Sequence, residues 1–202
     1  MDKLTLYTNP QSRGRTARWM LEELGQPYSA VILDYGTTMK APDYLALNPM
    51  GKVPCVTHGA HIITECAAIC TYLADAFPKA GLMPANRAAF YRWMFFAAGP
   101  LEAAITNRAL GVEVPPEKRG FVGYGHFDQV VATLEHAVTA MPFIAGDAFS
   151  AADVYVGAQV GFGLRFNSLP DTPALTAYWN RIKTRPALIR AAAIDDALLA
   201  KP

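Results

Sequence analysis

The stretch from residue 48 to residue 77 constrains the fold of this chain more than any other segment. Pro54 stands at the start of the short apolar run of residues 53–57. Because proline cannot donate to a sheet ladder, it is tolerated only at the first residue of a strand, on an edge or at a bulge. Only a bond that precedes proline adopts the cis form at low cost. We therefore predict a strand that begins here, a cis Val53–Pro54 bond, and Val53 backbone groups available to an extended ligand.

The same stretch contains a direct passage from a strand into a helix. Thr64, Glu65 and Cys66 end one apolar run and lead into an amphipathic run at residues 67–77. The first N–H groups of a helix have no internal partner and have partial positive charge, so a helix start is an anion site. The two signals together predict a site that binds a peptide backbone at one end and a carboxylate at the other.

The hydrophobic pattern before this stretch completes an α/β unit over residues 1-77. Gly25 is a helix stop signal, and Gly59 marks a hairpin turn. The predicted order is β-α-β-α-β-β-α, which is the thioredoxin-like order. Its predicted elements are strands at 4–7, 28–33, 53–57 and 61–64, and helices at 13–24, 42–47 and 67–77. The first helix has three arginines that are expected on its solvated face: Arg13, Arg15 and Arg18.

The rest of the chain has a helical pattern. Residues 78-86 are rich in proline and glycine and are predicted to be a linker, and residues 87-202 are predicted to form an all-α C-terminal domain. Pro100 should kink the first helix of that domain. Ser150 and Asp153 match a capping box, so a structural role is favoured for Asp153 over an acid or base role.

Composition excludes several classes of function. The formal net charge is +1, which gives no bulk attraction for nucleic acid or acidic lipid. No run approaches the roughly 20 apolar residues of a membrane span, and the first residues lack a signal-peptide core, so a cytoplasmic protein is expected. Three cysteines do not form a disulfide framework. His58 and His61 lack a third ligand at a recognisable spacing, so no metal site is predicted.

Four motifs in this order resemble the glutathione S-transferase family. They are the Val53-Pro54 pair, the Glu65-Cys66 pair, the Ser150 to Asp153 box and the ending at residues 181–188. The resemblance covers nearly the whole chain. It implies a thioredoxin-like domain followed by a helical domain, glutathione as co-substrate and a homodimer.

The resemblance also implies roles for individual residues. Val53 and Pro54 match the strand start that pairs with the cysteinyl backbone of glutathione. Glu65 and Cys66 match the pair that holds its γ-glutamyl end, although Cys66 stands where the family usually has serine. Because a thiol is a weaker donor than a hydroxyl, weaker binding is expected. Lys52 is expected to meet a glutathione carboxylate.

The catalytic group should lie where the first strand meets the first helix. Glutathione transfer needs the thiolate, which a hydroxyl or amide donor and a helix N-terminus can stabilise. Ser12 lies at the expected helix start, Asn9 has an amide donor, and Thr8 has a second hydroxyl. The spacing does not decide between Thr8 and Ser12. Arg13 or Arg15 would add positive potential near the thiolate.

The resemblance predicts conjugation of glutathione to a small hydrophobic electrophile, with glutathione on the first domain and the electrophile against the second. A glutathione-dependent isomerase or peroxidase and a non-catalytic binder are the alternatives. A disulfide reductase is disfavoured, since no cysteine stands at the first helix start. Cys55, Cys66 and Cys70 are instead expected to be small core residues.

Overall fold

The computed structural model describes residues 2–200, which form two compact units. The first unit comprises residues 2–82 together with 184–200. The second unit comprises residues 83–183. The predicted domain limits are 1-77, 78-86 and 87-202. In the structure the last helix instead packs within the first unit, and the predicted linker is divided between the two units at residue 82.

The first unit is built on a four-stranded mixed sheet with the order β2-β1-β3-β4. Strands β1 and β2 are parallel, whereas β3 is antiparallel to both β1 and β4. This confirms the predicted β-α-β-α-β-β-α order. The elements are β1 (Leu4–Thr8), α1 (Gly14–Leu24), β2 (Tyr28–Ile32), α2 (Pro42–Leu45), β3 (Cys55–His58), β4 (His61–Thr64), α3 (Cys66–Ala76) and the final helix α9 (Pro186–Leu199).

Helix α1 lies between the sheet and α9, and this arrangement overturns one expectation. Arg18 was expected on a solvated face, but its side chain is only 2% exposed. Its Nε donates to a carboxylate oxygen of Asp195 on α9 at 2.9 Å, and the Asp195 side chain is fully buried. A buried guanidinium needs a partner. That partner lies on a helix distant in sequence, so no local pattern could have predicted the burial of Arg18. Arg15 contacts the neighbouring Asp196 at 2.6 Å.

The second unit is helical. It contains α4 (Arg87–Phe96), α5 (Glu102–Ala109), α6 (Phe127–Ala140), α7 (Ala151–Arg165) and α8 (Pro173–Ile182). A π-helical turn at Ala97–Leu101, with Pro100 inside it, separates α4 from α5, so the interruption lies where it was predicted. Between residues 2 and 200, no helix is long and apolar enough to cross a membrane.

The capping box of α7 is present as predicted. Ser150 accepts a hydrogen bond from the Ala152 N–H, and the Asp153 side chain accepts one from the Ser150 N–H at 3.0 Å. Asp153 is fully buried and also accepts hydrogen bonds from the Ile144 N–H and the Tyr178 hydroxyl. Burial raises the pKa of this carboxyl, and the donated hydrogen bonds oppose that rise. The role of Asp153 is therefore structural.

Candidate functional site

Thr8 ends β1 and faces the start of helix α1. Its side chain is fully buried, and a Cβ added to Gly14 would lie 1.9 Å from the Thr8 hydroxyl oxygen. Gly14 is thus required for the hydroxyl to fit beneath the first turn of the helix. The Thr8 hydroxyl packs against the helix start and is not presented to solvent.

Asn9 uses both ends of its amide to hold the loop between β1 and α1. Its Nδ2 donates to the Leu33 carbonyl at 2.8 Å, and its Oδ1 accepts from the Gln11 N–H at 2.9 Å. The Leu33 N–H in turn donates to the Thr8 carbonyl at 2.9 Å. The side chain is buried, so the Asn9 amide fastens the loop to the segment after β2.

Ser12 is the one catalytic candidate of the three whose side chain is only half-buried. Its Oγ donates to the Asn9 carbonyl at 2.6 Å and accepts from the Gly14 N–H at 2.9 Å. The hydroxyl thus caps the first N–H of α1 while its single proton points at a backbone carbonyl. A thiolate at this place would have to replace the Asn9 carbonyl as the acceptor of that proton.

The loop before β3 begins as a tight turn. The Gly51 N–H donates to the Asn48 carbonyl at 2.8 Å, and Gly51 has a φ of 56°, in the left-handed region that favours glycine. Lys40 Nζ donates to the Gly51 carbonyl at 2.8 Å. The Val53–Pro54 bond that follows is cis, which confirms the prediction for that bond. The turn and its lysine contact fix the chain as it enters β3.

Lys52 has an exposed side chain and a backbone carbonyl that accepts two hydrogen bonds. The Tyr44 hydroxyl donates to this carbonyl at 2.5 Å, and Asn48 Nδ2 donates at 2.8 Å. Burial raises the pKa of Tyr44 to about 12, so its phenol stays a donor at neutral pH. The half-buried Val53 side chain packs on a cluster that also contains Leu33, Met39 and Cys55.

Glu65 joins β4 to α3 with an unusual backbone. Its φ is 65° and its ψ is 123°, and a positive φ is uncommon for any residue other than glycine. Its carbonyl accepts the α-helical hydrogen bond from the Ile69 N–H at 2.8 Å, while its side chain is exposed. Such backbone outliers cluster at functional sites. The geometry leaves the carboxylate accessible at the N-terminus of α3.

Cys66 corrects an expectation about the cysteines. It is half-buried instead of a core residue, because the first turn of α3 faces the loop before α1, and its Sγ donates to the Arg13 carbonyl at 3.7 Å. This contact brings the α3 start beside the segment that contains Ser12. Cys55 and Cys70 are buried core residues as expected, and burial raises the pKa of the Cys55 thiol to about 11.

Three contributors to the site were missed by the sequence analysis: Lys40, Tyr44 and Asn48. All three bind backbone carbonyls of the loop before β3. The signal available in the sequence was the turn-forming Asn48 before a proline, but turn propensity does not show which carbonyl a side chain reaches.

Across residues 2–200, no three side chains of metal-ligating type form a group, and His58 contacts the Tyr72 hydroxyl at 2.9 Å.

The comparisons with known proteins agree with one another. A family model described as the glutathione S-transferase N-terminal domain matches residues 6–81. Glutathione S-transferase A of Pleuronectes platessa is 29% identical over 84% of this chain and 81% of its own length. A glutathione S-transferase of Xanthomonas campestris is 28% identical over 89% of this chain and 92% of its own length.

The solved structures extend this likeness to the fold. A sphingomonad glutathione S-transferase, determined in complex with glutathione, is 27% identical and superposes with a TM-score of 0.77 over 95% of this chain and 98% of its own. The likeness in fold between the two proteins therefore also covers the helices that lie outside the match to the family model. The first part of the chain thus matches the glutathione S-transferase N-terminal domain, and the chain as a whole is similar in sequence and fold to glutathione S-transferases.

Proposed function

We propose that this protein conjugates the thiolate of glutathione to a small hydrophobic electrophile. The observation that carries the proposal is the contact between Cys66 and the Arg13 carbonyl. It brings the start of α3, whose first N–H groups have partial positive charge, beside the loop that contains Ser12. The glutathione complex of the sphingomonad relative supports the choice of co-substrate. We further propose that residues 87-202 supply apolar side chains for the electrophile.

Each glutathione-binding residue has a distinct role in this proposal. The Val53 backbone pairs with the cysteinyl part of glutathione, and Pro54 sets the start of β3 beside it. The exposed Glu65 carboxylate accepts from the γ-glutamyl amine, while the Cys66 N–H holds the γ-glutamyl carboxylate at the positive end of α3. The exposed Lys52 ammonium pairs with the remaining glutathione carboxylate.

Ser12 is the proposed donor to the glutathione thiolate. Thr8 is fully buried against Gly14, and both ends of the Asn9 amide are engaged in the loop, so Ser12 is the more accessible donor. The Ser12 hydroxyl is held by a single carbonyl acceptor and lies at the positive start of α1. A thiolate is a stronger acceptor than a carbonyl because it is charged. Ligand binding therefore redirects the hydroxyl proton from Asn9 to sulfur.

The Ser12→Ala variant tests the proposal. We expect kcat with glutathione and chlorodinitrobenzene to fall on the order of 10–100-fold, since a hydrogen bond to a charged group is worth ~1.5–3 kcal/mol. The thiol pKa of bound glutathione should rise, and the glutathione Kd should change little. Spectroscopic titration of the bound thiolate measures the pKa, and calorimetry measures the Kd.

Two controls make the result specific. Ser29→Ala removes an exposed hydroxyl from the edge strand β2 and should leave all three quantities unchanged. If Ser12→Ala is silent while Asn9→Ala or Thr8→Ala raises the thiol pKa, the assignment of the donor is wrong. If the unmodified protein binds glutathione without lowering its thiol pKa, the conjugation proposal itself is wrong.

A non-catalytic glutathione binder is the second candidate, and one observation favours it. The Ser12 proton is already bonded to a carbonyl at 2.6 Å, and Cys66 stands where a hydroxyl donor is usual in the family. Retention on glutathione-agarose without turnover of any electrophile identifies a binder. Turnover of a peroxide or an isomerisable substrate without conjugation identifies a glutathione-dependent peroxidase or isomerase.

We also propose a cytoplasmic location, where glutathione keeps thiols reduced.

A further inference from the structure

Two side-chain donors from the α2 region converge on one backbone carbonyl. The Tyr44 hydroxyl and Asn48 Nδ2 both donate to the Lys52 carbonyl, at 2.5 and 2.8 Å. Both side chains are buried, with exposed fractions of 4% and 5%. A carbonyl that binds two buried donors uses both of its lone pairs and is fixed in direction.

The direction of that carbonyl determines the direction of the next N–H. The Lys52 carbonyl and the Val53 N–H belong to the same peptide group, which is planar. The Val53–Pro54 bond is the cis bond of the described chain, so the Lys52–Val53 bond is trans. In a trans peptide group the C=O and N–H point in opposite directions. The Val53 N–H therefore points away from Tyr44 and Asn48.

Both donors are themselves held in place. Asn48 Oδ1 accepts from the Met50 N–H at 3.1 Å, and the Asn48 carbonyl accepts from the Gly51 N–H at 2.8 Å. The Tyr44 ring lies 5.7 Å from the Tyr7 ring, between centroids, within the cluster that Val53 also contacts. A ring packed in this way delivers its hydroxyl with little freedom to move.

We infer that Tyr44 and Asn48 are positioning residues for glutathione. They orient the Val53 N–H towards the cysteinyl carbonyl of the ligand by fixing the peptide group from its opposite side. The inference rests on the proposed function, in which the Val53 backbone pairs with glutathione. Neither side chain touches the ligand, so their effect passes through one peptide plane.

The test compares two ligands on the Tyr44→Phe and Asn48→Ala variants. One ligand is glutathione, and the other is an analogue in which a methylene replaces the cysteinyl carbonyl. Tyr44→Phe removes one hydrogen bond, so the glutathione Kd by calorimetry should rise about fivefold. The Kd of the analogue should stay unchanged, because it has no acceptor for the Val53 N–H. Asn48→Ala should show the same ligand dependence.

The controls separate positioning from general loss of structure. Tyr28→Phe removes another partly buried hydroxyl from the first unit, one bonded to Arg18 and Glu22, and should weaken neither ligand. If Tyr44→Phe raises the Kd of both ligands equally, the role of Tyr44 is merely structural and the inference is overturned. The inference is also overturned if neither Kd rises. If the unmodified protein does not bind glutathione, the proposed function fails first.

Discussion

At the scale of single residues, the site separates side chains that hold the backbone from side chains that remain accessible. Asn9 and Tyr44 are buried and bond to the loops around the site, whereas the buried Thr8 hydroxyl packs against Gly14 without a hydrogen-bond partner among the residues that the structure describes. Lys52 and Glu65, which we propose as partners for the two ends of glutathione, have exposed side chains. The backbone at Glu65 is constrained by its positive φ, whereas its side chain is not buried.

The acidic residues at the starts of α3 and α7 should differ in what they contribute to ligand binding and to stability. Glu65→Ala should weaken glutathione binding more than Asp153→Ala, because it removes the partner of the ligand amine. Asp153→Ala should lower the free energy of unfolding more, by at least ~1 kcal/mol, because it removes a cap and leaves the Ile144 N–H without its acceptor. Calorimetric Kd values and thermal denaturation check both. Equal effects of the two variants on affinity and melting temperature would contradict the separation.

At the scale of elements, helix α9 packs against α1 through ion pairs of different kinds, which include pairs of Glu22 with Arg190 and of Glu23 with Arg185 at the α9 N-cap. Arg18 and Asp195 form a buried pair. In the pair formed by Arg15 and Asp196, the aspartate side chain is 65% exposed. Arg15 Nε also donates to the Pro10 carbonyl at 2.6 Å, so this pair reaches the loop that precedes α1. The contacts that join the two helices thus include one pair that is hidden from water and another whose aspartate is screened by it.

This contrast gives a prediction about stability. Asp195→Ala should lower the free energy of unfolding by about 3–5 kcal/mol, because it leaves the Arg18 guanidinium buried without its carboxylate. Asp196→Ala, one residue along the same helix, should cost only ~0–1 kcal/mol. Urea denaturation of the two variants measures both. A loss for Asp196→Ala as large as that for Asp195→Ala would contradict the role assigned to burial.

The sequence predicted those elements whose signals are local. Hydrophobic period and glycine stops located α1 and the strands, and Ser150 with Asp153 located the start of α7. The partner of Arg18 lies 177 residues away, and no local pattern connects the two. The same limit applies to Tyr44 and Asn48, because their shared acceptor is a backbone carbonyl whose direction depends on the turn at Gly51. The choice among Thr8, Asn9 and Ser12 needed side-chain burial, which spacing alone does not supply.

At the scale of the whole molecule, the aromatic residues of α4 divide into two sets. Phe90 and Trp93 are buried within the second unit. Tyr91 and Phe95 are 44% and 72% exposed. Exposed aromatic residues are enriched at protein interfaces. Together with the similarity to glutathione S-transferases, this surplus supports the proposal of a homodimer.

The homodimer proposal has a direct test. Sedimentation velocity at micromolar concentration should give a dimer for the unmodified protein and a larger monomer fraction for Phe95→Ser. Phe121→Ser changes a phenylalanine outside α4 that is even more exposed, at 91%, and serves as the control, for which a dimer is expected. A monomeric unmodified protein would remove the proposal, and dissociation of the control alone would move the interface away from α4.

The packing of α9 on α1 also bears on the order in which the chain is completed on the ribosome. Domains generally fold as units, N-terminal first, while synthesis continues. Here Asp195 is made 177 residues after Arg18. A nascent chain that ends before residue 195 therefore contains a buried guanidinium site without its counter-ion. The first unit reaches its full stability only after residue 195 has been synthesised.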